Sequence, residues 1–239
     1  MNSLKTCGIL AAGLGTRIKS LSDFKPLLKI KNTTLLERLM KSMNKCGLTS
    51  TLVNFNTGAL QVSQFIEPII SSNNGKSFYK DTESSMHTLY EVMNKWIVIS
   101  KSEESHIFVT MVDTILREGD LENYVNHCKN LKENECSVLL TKYIEDEKPL
   151  VVKVAGDKVL SFGGSVEENS LITSGMYCLS KNIFPVLDDE IHNGTKHMRN
   201  FLSKIVEKNF DVKYFVVEKT LDVDRPEDVN SAESFLEGL

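Results

Sequence analysis

An apolar run, Ile9-Leu10-Ala11-Ala12, breaks at once into Gly13-Leu14-Gly15-Thr16-Arg17, and Lys25-Pro26 follows before the chain turns apolar again. A buried strand ending in small residues lets a flat or charged ligand approach the backbone at the carboxyl edge of an open sheet. Arg17 and Lys25 add cations to that approach. The combination suits a nucleoside triphosphate. It is neither common glycine-rich motif. A dinucleotide fingerprint requires a third glycine, and Thr16-Arg17-Ile18 stands there instead. A P-loop requires G-K-[ST], which does not follow these glycines. A ligand-free turn is the plain alternative, and the coincidence of strand end, glycines and cations argues against it.

The pattern after this loop alternates. Thr34-Leu35-Leu36-Glu37 predicts a capped helix start, and Gly47 its stop. Strands are expected at 51–54 and 76–80, with a brief helix over 60–67 ahead of Pro68. A helix over 88–99 presents Leu89, Val92, Met93 and Trp96, and a buried strand, HIFVTM, spans 106–111. Strands alternating with helices predict a largely parallel sheet covered on both faces. The second half reads differently. Short strands at 137–141, 150–154, 159–162 and 173–179 lie close together, with a turn at Gly156-Asp157. A helix over 198–208, a strand over 212–217 and a helix from Pro226 close the chain. The expectation is an α/β fold: one domain over 1–239, a mixed, mostly parallel central sheet and a small antiparallel insertion. Residues 181–197 give no clear pattern.

Composition narrows the class. A chain of 239 residues with 41% hydrophobic and 25% charged residues can bury a large core. The formal net charge of −4 argues against a nucleic-acid backbone as partner, though not against a nucleotide. Five cysteines without a C-x-x-C pair give neither a zinc site nor a disulfide framework. The start, MNSLKTCGILAAG, lacks a signal peptide's layout, and no apolar stretch reaches membrane-spanning length. A cytoplasmic protein is expected, with a homo-oligomer left open.

Acids complete the picture. Asp113 ends the HIFVTM strand, where an aspartate either holds a metal or caps a turn. In Leu221-Asp222-Val223-Asp224-Arg225-Pro226-Glu227-Asp228, the last two acids suit a first helical turn, whereas Asp222 and Asp224 precede it. His192 and His197 match no metal motif.

Leu10-Ala11-Ala12-Gly13-Leu14-Gly15-Thr16-Arg17 with Lys25-Pro26 resembles the L-A-A-G-x-G-T-R…P-K-P motif of the sugar-phosphate nucleotidyltransferases, pyrophosphorylases of the GT-A-like, Rossmann-like fold. Phe24 stands where that motif has proline. The resemblance implies that the loop wraps base and triphosphate, with Arg17 on the β/γ-phosphates and Lys25 on the α-phosphate. VTMVDTIL resembles the family's strand ending in G-D-T-L, with Val112 in place of glycine, and the closing segment resembles D-x-G-T-P or D-x-D-T-P-E-D. This implies Mg2+ on Asp113 and on Asp222 or Asp224, with one direct ligand expected from the latter pair, Asp222 first. Glu83, His87 and Thr88 lie in a stretch closer to the base-reading region of phosphocholine-type cytidylyltransferases. Ser174-Gly175-Met176-Tyr177 resembles the strand lining the acceptor site, so 137–180 is the expected acceptor region and Gly175 its point of close approach. Lys153, Lys219 and Arg199 are candidate cations for the acceptor phosphate; Lys142 and Lys213 are weaker ones.

The implied activity is transfer of a nucleoside monophosphate, from CTP foremost, to a small phosphorylated acceptor with release of pyrophosphate. Such products feed surface-polysaccharide or lipid-headgroup pathways in the family. A sugar-1-phosphate with UTP, GTP or dTTP is the nearest alternative, and a noncatalytic nucleotide sensor another. Glycosyltransferases of related fold usually hold metal on a D-x-D near the middle of the sequence, whereas Asp222-Val223-Asp224 lies near the C-terminus.

Overall fold

The structure, a computed structural model, describes residues 4–100, 104–144 and 148–237. The first apolar run is strand β1 (Thr6–Ala11), every residue of it buried. A short hairpin, β2 (Lys29–Ile30) and β3 (Thr33–Thr34), leads into helix α1 (Leu35–Lys45). Thr34 caps it: its hydroxyl accepts from the Glu37 amide at 3.1 Å. Glu37 turns outward to Lys41 at 2.7 Å. Gly47, at φ 85°, ends the turn as expected.

β4 (Ser50–Phe55) and helix α2 (Ser63–Ser72) follow. Here the expectation fails, because Pro68 lies inside α2 rather than beyond it. One helical hydrogen bond is lost at the proline, but Ile66 and Ile70 are buried on either side. Glu67 is gripped from the neighbouring strand by Ser77 at 2.7 Å and Tyr79 at 2.5 Å. That strand is β5 (Gly75–Tyr79), followed by α3 (Ser85–Ser100), β6 (His106–Met111), β7 (Thr114–Ile115) and α4 (Glu118–Lys129). The remainder is β8 (Glu135–Thr141), β9 (Val151–Ala155), β10 (Lys158–Phe162), β11 (Leu171–Ser180), α5 (Phe184–His192), α6 (Met198–Glu207), β12 (Asp211–Val217), β13 (Leu221–Asp222) and α7 (Pro226–Glu237). Helices α4 and α5 carry no prominent sequence pattern. Each buries only a narrow stripe, Leu121, Tyr124, Val125 and Cys128 in α4 and Leu187 in α5.

Nine strands form one mixed sheet in the order β5-β4-β1-β6-β11-β8-β12-β10-β9. Among the first four, all pairs are parallel. Beyond β6 the pairs are antiparallel except β8 with β12. This is a GT-A-like α/β fold, with helices on both faces. One face packs Ile9, Ala11, Val53 and Phe108 against α1, α2 and α4. The other packs Leu10, Leu52, Ile107 and Val109 against α3, α5 and α6. A third, smaller cluster matters most for the site. It joins Ile18, after the glycine loop, to Ile115, Leu221, Val223, Ala232 and Phe235. Val223 is fully buried there. Burying a side chain of that size contributes about 1.5–3 kcal/mol, and it ties the closing segment to the opening loop.

Among the described residues no helix is long and apolar enough to cross a membrane. All five cysteines are free thiols. Cys7, Cys128, Cys136 and Cys178 are buried, and burial pushes the Cys136 thiol up to about 12.

Candidate active site

β1 and β6 lie side by side and parallel, with Leu10 opposite Met111. Their carboxyl ends therefore open at one edge, where β1 delivers the glycine loop and β6 delivers Asp113. Gly15 is in the left-handed region at φ 58°, and a Cβ on it would meet the Lys25 Cβ at 3.0 Å. Only glycine combines that backbone with so close a neighbour. A single 3-10 turn (Thr16–Ile18) then sends Ile18 into the third cluster. Asn56, just past β4, donates to the carbonyls of Ala12 and Gly13, both at 3.3 Å, and steadies the loop.

A second 3-10 turn (Lys25–Leu27) carries Lys25 at its start and Pro26 next. Phe24 precedes it and packs on Phe55, ring centroids 5.7 Å apart. Where the resembling motif has proline, this chain holds the turn with an aromatic anchor and with the Ser22 hydroxyl, which donates to the Phe24 carbonyl at 2.8 Å.

β7 and β13 pair antiparallel, with Asp222 opposite Thr114. This pairing brings the closing acids to Asp113. The Val223 amide donates to the Asp113 carbonyl at 3.1 Å. The Lys25 ammonium contacts Asp113 Oδ2 and lies 2.5 Å from Asp224 Oδ1. Arg17 is 3.9 Å from the other Asp224 oxygen. Lys25 is nearly buried. Burial alone would lower its pKa, but Asp113 and Asp224 outweigh that and raise it. The lysine stays charged.

Asp222 accepts from the Thr114 hydroxyl at 2.8 Å. Asp222 and Asp224 are two apart on extended chain, so they share a face while Val223 turns inward. Both therefore border one cleft. Asp222 is solvent-exposed as a residue, and neighbouring protein atoms crowd one side of its carboxyl. Desolvation by that crowding pushes the carboxyl up from its ordinary range; Asp113 and Asp224 add to the rise, and Thr114 and Lys25 oppose it. The open side limits the size of the shift; its direction follows from the crowding.

These groups enclose a cavity of about 320 Å3 lined by Leu10, Ala11, Gly13, Gly15, Thr16, Arg17, Lys25, Pro26, Met111, Val112, Asp113 and Asp224. Ala12 lies just outside it and is nearly buried. Two carboxylates, Asp113 and Asp224, face one enclosed ammonium and one exposed guanidinium, and Asp222 lies beside them on the neighbouring wall. Once a triphosphate draws Lys25 and Arg17 to itself, the acids are left without a counter-charge. That donor set fits a hard divalent cation such as Mg2+, which prefers oxygen ligands and keeps several waters. Among the described residues no group of three or more His, Cys, Asp or Glu forms a ready metal cage. Asp113 with Asp222 or Asp224 would therefore share such an ion with water and phosphate oxygens.

The other predicted residues fall elsewhere. Glu83 is exposed and pairs with Lys196 at 3.2 Å. His87 Nδ1 is 2.9 Å from the Ser84 hydroxyl, and the Thr88 hydroxyl is 2.7 Å from that of Thr82 and donates to the Ser84 carbonyl at 3.0 Å. These bonds organise the start of α3, and none of the three residues lines the cavity. Gly175 sits at an irregularity in β11 with φ 71°, and a Cβ there would meet Thr114 Oγ1 at 3.0 Å. Its close approach is to the Asp113–Thr114 turn. Arg199 donates to the Lys148 carbonyl. Lys153 lies exposed on β9. The Lys219 ammonium sits 3.7 Å from the centre of the Tyr143 ring.

Comparison with known proteins identifies the family and the fold. The family model for MobA-like NTP transferase domains matches residues 7–201. No curated protein matches significantly. Solved structures align over nearly the whole chain. An inositol-1-phosphate CTP transferase from T. maritima is 17% identical at a TM-score of 0.77, covering 99% of this chain and 98% of its own. A putative glucose-1-phosphate thymidylyltransferase from Bacillus anthracis is 16% identical at 0.81, covering 98% and 96%. A CTP:phosphocholine cytidylyltransferase from Streptococcus pneumoniae is 18% identical at 0.74, covering 98% and 100%.

Proposed function

This chain belongs to the family of MobA-like NTP transferase domains, and on that footing we propose that it transfers a nucleoside monophosphate, from CTP foremost, to a small phosphorylated acceptor and releases pyrophosphate. One observation carries the reading: Lys25 is held between Asp113 and Asp224 at the floor of a glycine-lined cavity. CTP is favoured because the SSMHTLYEV stretch and the D-V-D-R-P-E-D ending both lean toward cytidylyltransferases in sequence.

The exposed backbone of Gly13 and Gly15 admits the nucleotide. Lys25 leaves the carboxylates for the α-phosphate, and Arg17 meets the outer phosphates. When bound, Mg2+ on Asp113 and Asp222 or Asp224 supplies charge neutralisation on the phosphate oxygens. An acceptor phosphate oxygen forms a new bond to the α-phosphorus as the bond to the β-phosphate oxygen breaks, and pyrophosphate leaves with that electron pair. The acceptor oxygen is already ionised near neutral pH, so no side chain need take a proton. Lys25 then stabilises charge that grows in the transition state, where a fixed cation counts most.

The test is a pyrophosphate-release screen crossing the four NTPs with phosphosugars, phosphocholine, inositol 1-phosphate and related phosphomonoesters, with and without Mg2+. CTP-dependent release with one acceptor is the expected result. Release with a sugar 1-phosphate and UTP, GTP or dTTP would instead favour a pyrophosphorylase. NTP binding without release from any pair would favour a sensor.

A further inference from the structure

Phe55 ends β4, and Asn56 follows it. Asn56 holds the glycine loop through the Ala12 and Gly13 carbonyls. Phe55 meets the other arm of the site, the turn that carries Lys25, through the ring of Phe24. We propose that Phe24 is a positioning residue for Lys25 and that its anchor runs through Phe55 and Tyr79 to Glu67 on α2; the assignment rests on the nucleotidyl-transfer reading above.

The anchor is a row of side chains. Ala11, Phe55 and Tyr79 are register partners where β1, β4 and β5 end. They lie on the sheet face that packs α1, α2 and α4, and Phe24 packs against the same cluster. Phe55, the middle of the row, is fully buried. Its ring centroid lies 5.7 Å from that of Phe24 and 5.8 Å from that of Tyr79. Tilted rings at this spacing attract beyond the area they bury. A charge fixes the far end. The Tyr79 hydroxyl donates to Glu67 Oε1 at 2.5 Å, and the Ser77 hydroxyl gives the same oxygen a second bond at 2.7 Å. Burial and that bond push the Tyr79 hydroxyl up to about 12, so it remains a donor at neutral pH.

The backbone links that row to Lys25. The Phe24 carbonyl accepts from the Ser22 hydroxyl at 2.8 Å and from the Leu27 amide at 2.9 Å, which closes the Lys25–Leu27 turn. The Phe24 amide donates to the same hydroxyl at 3.3 Å. Phe24 itself is extended, at φ −138° and ψ 104°. Proline holds φ at about −65° and has no amide hydrogen. The proline of the resembling motif therefore cannot adopt this backbone and would lose the bond to Ser22. Ring contact fixes the turn in its place. Phe24 does not line the nucleotide cavity, whereas Lys25 and Pro26 do, so it acts on the lysine rather than on a ligand. Lys25 Cβ in turn packs so closely on Gly15 that a shift of the turn disturbs the loop as well. Misplacing a reacting group by about 1 Å costs on the order of 100-fold in rate.

The test follows the Lys25 turn by rate and by hydrogen exchange in the full-length protein. With any NTP and acceptor active in the screen, Phe24→Ala should lower kcat about 10- to 100-fold and leave the KM for the NTP within about threefold, because the lysine counts most in the transition state. Phe24→Tyr keeps the ring and should hold kcat within about twofold of wild type. Phe24→Pro should do no better than alanine. Tyr79→Phe keeps its ring but releases Glu67, and should lower kcat about two- to tenfold, the contribution of one hydrogen bond. In the nucleotide-free protein, amide exchange at Leu27 and Leu28 should quicken in Phe24→Ala and Tyr79→Phe but not in Lys213→Ala. Wild-type kcat in Phe24→Ala or Phe24→Pro, a rise in KM alone, or unchanged exchange in Phe24→Ala would overturn the assignment. Should Phe24→Ala fail to fold, Phe24→Leu and Tyr79→Phe decide, and wild-type kcat in both overturns it equally. Pyrophosphate release from no pair of substrates would sink the transfer reading instead, and the exchange rates would still read the anchor by themselves.

Discussion

Lys25 and Lys213 each sit among carboxylates at opposite ends of one sheet, and the contrast separates a site from a brace. Lys213, near the start of β12, is 2.6 Å from Asp157 and 3.2 Å from Asp211, with Glu135 at 3.9 Å. Lys158 gives Asp211 a second partner at 2.8 Å. There the charges close. A hydrogen bond from Lys213 holds the Asp157 carboxyl below its ordinary range. Asp211, despite burial that works the other way, is also lowered by Lys158 and Lys213. At Lys25 the charges do not close: Asp113 and Asp224 share the ammonium, and the Asp222 carboxyl is pushed up. A cavity larger than the one beside Lys25, about 810 Å3, lies at the Lys213 end, bordered by Asp211 and Glu135. Size therefore does not locate the chemistry. A carboxylate with no cation left to pair does.

The largest expected effect tests that contrast directly. Lys25→Ala should cut pyrophosphate release by about 30- to 1,000-fold, the equivalent of roughly 2–4 kcal/mol of transition-state stabilisation, while circular dichroism shows a folded protein. Lys213→Ala should leave turnover within about twofold, as substitutions remote from a site usually do. Full activity in Lys25→Ala, or equal losses in both, would erase the distinction.

Gly15→Ala comes next. It places a Cβ in left-handed backbone, at a cost of roughly 1–2 kcal/mol, and 3.0 Å from the Lys25 Cβ. A lower melting temperature and a slower rate should appear together, because the loop and the Lys25 turn move as one. Thr34→Ala should cost about 1 kcal/mol through the lost cap alone. Denaturant titration should register it while turnover stays unchanged. If Thr34→Ala lowered the rate as much as Gly15→Ala, loss of stability would explain both.

Local signals in the sequence already carried most of this frame. The glycine loop, the capped start of α1, the β6 strand and the Gly156 turn depend on neighbours in sequence, and each is where its residues point. Pro68 shows the limit. Whether a helix survives a proline depends on what grips it, and the Ser77 and Tyr79 hydroxyls on Glu67 come from another strand. The same holds at the site. Arg17, Lys25, Asp113 and the closing acids were legible as residue types. That Lys25 lies between Asp113 and Asp224, 88 and 199 positions away, is a product of β7–β13 pairing and the third cluster. Asn56, Thr114 and Asp228 were not legible as site residues. Their one sequence signal is position: just past a central strand, just after Asp113, and four residues after Asp224.

The smallest effect bears on the unpaired acid itself. The folded state raises the Asp222 pKa above its unfolded value, so between those values the folded protein binds more protons than the unfolded one. The contribution to stability is therefore full below the ordinary carboxylate range and declines as pH rises through the raised folded value. Metal-free wild type should lose melting temperature over that window, and Asp222→Asn, which cannot ionise, should lose less. Lys213→Ala leaves the surroundings of Asp222 intact, so the loss that Asp222→Asn removes should persist in that background. Equal slopes in wild type and Asp222→Asn would mean that the acids around Lys25 are as well compensated as those around Lys213. The argument for a divalent cation would then have to rest on Asp113 and Asp224 alone.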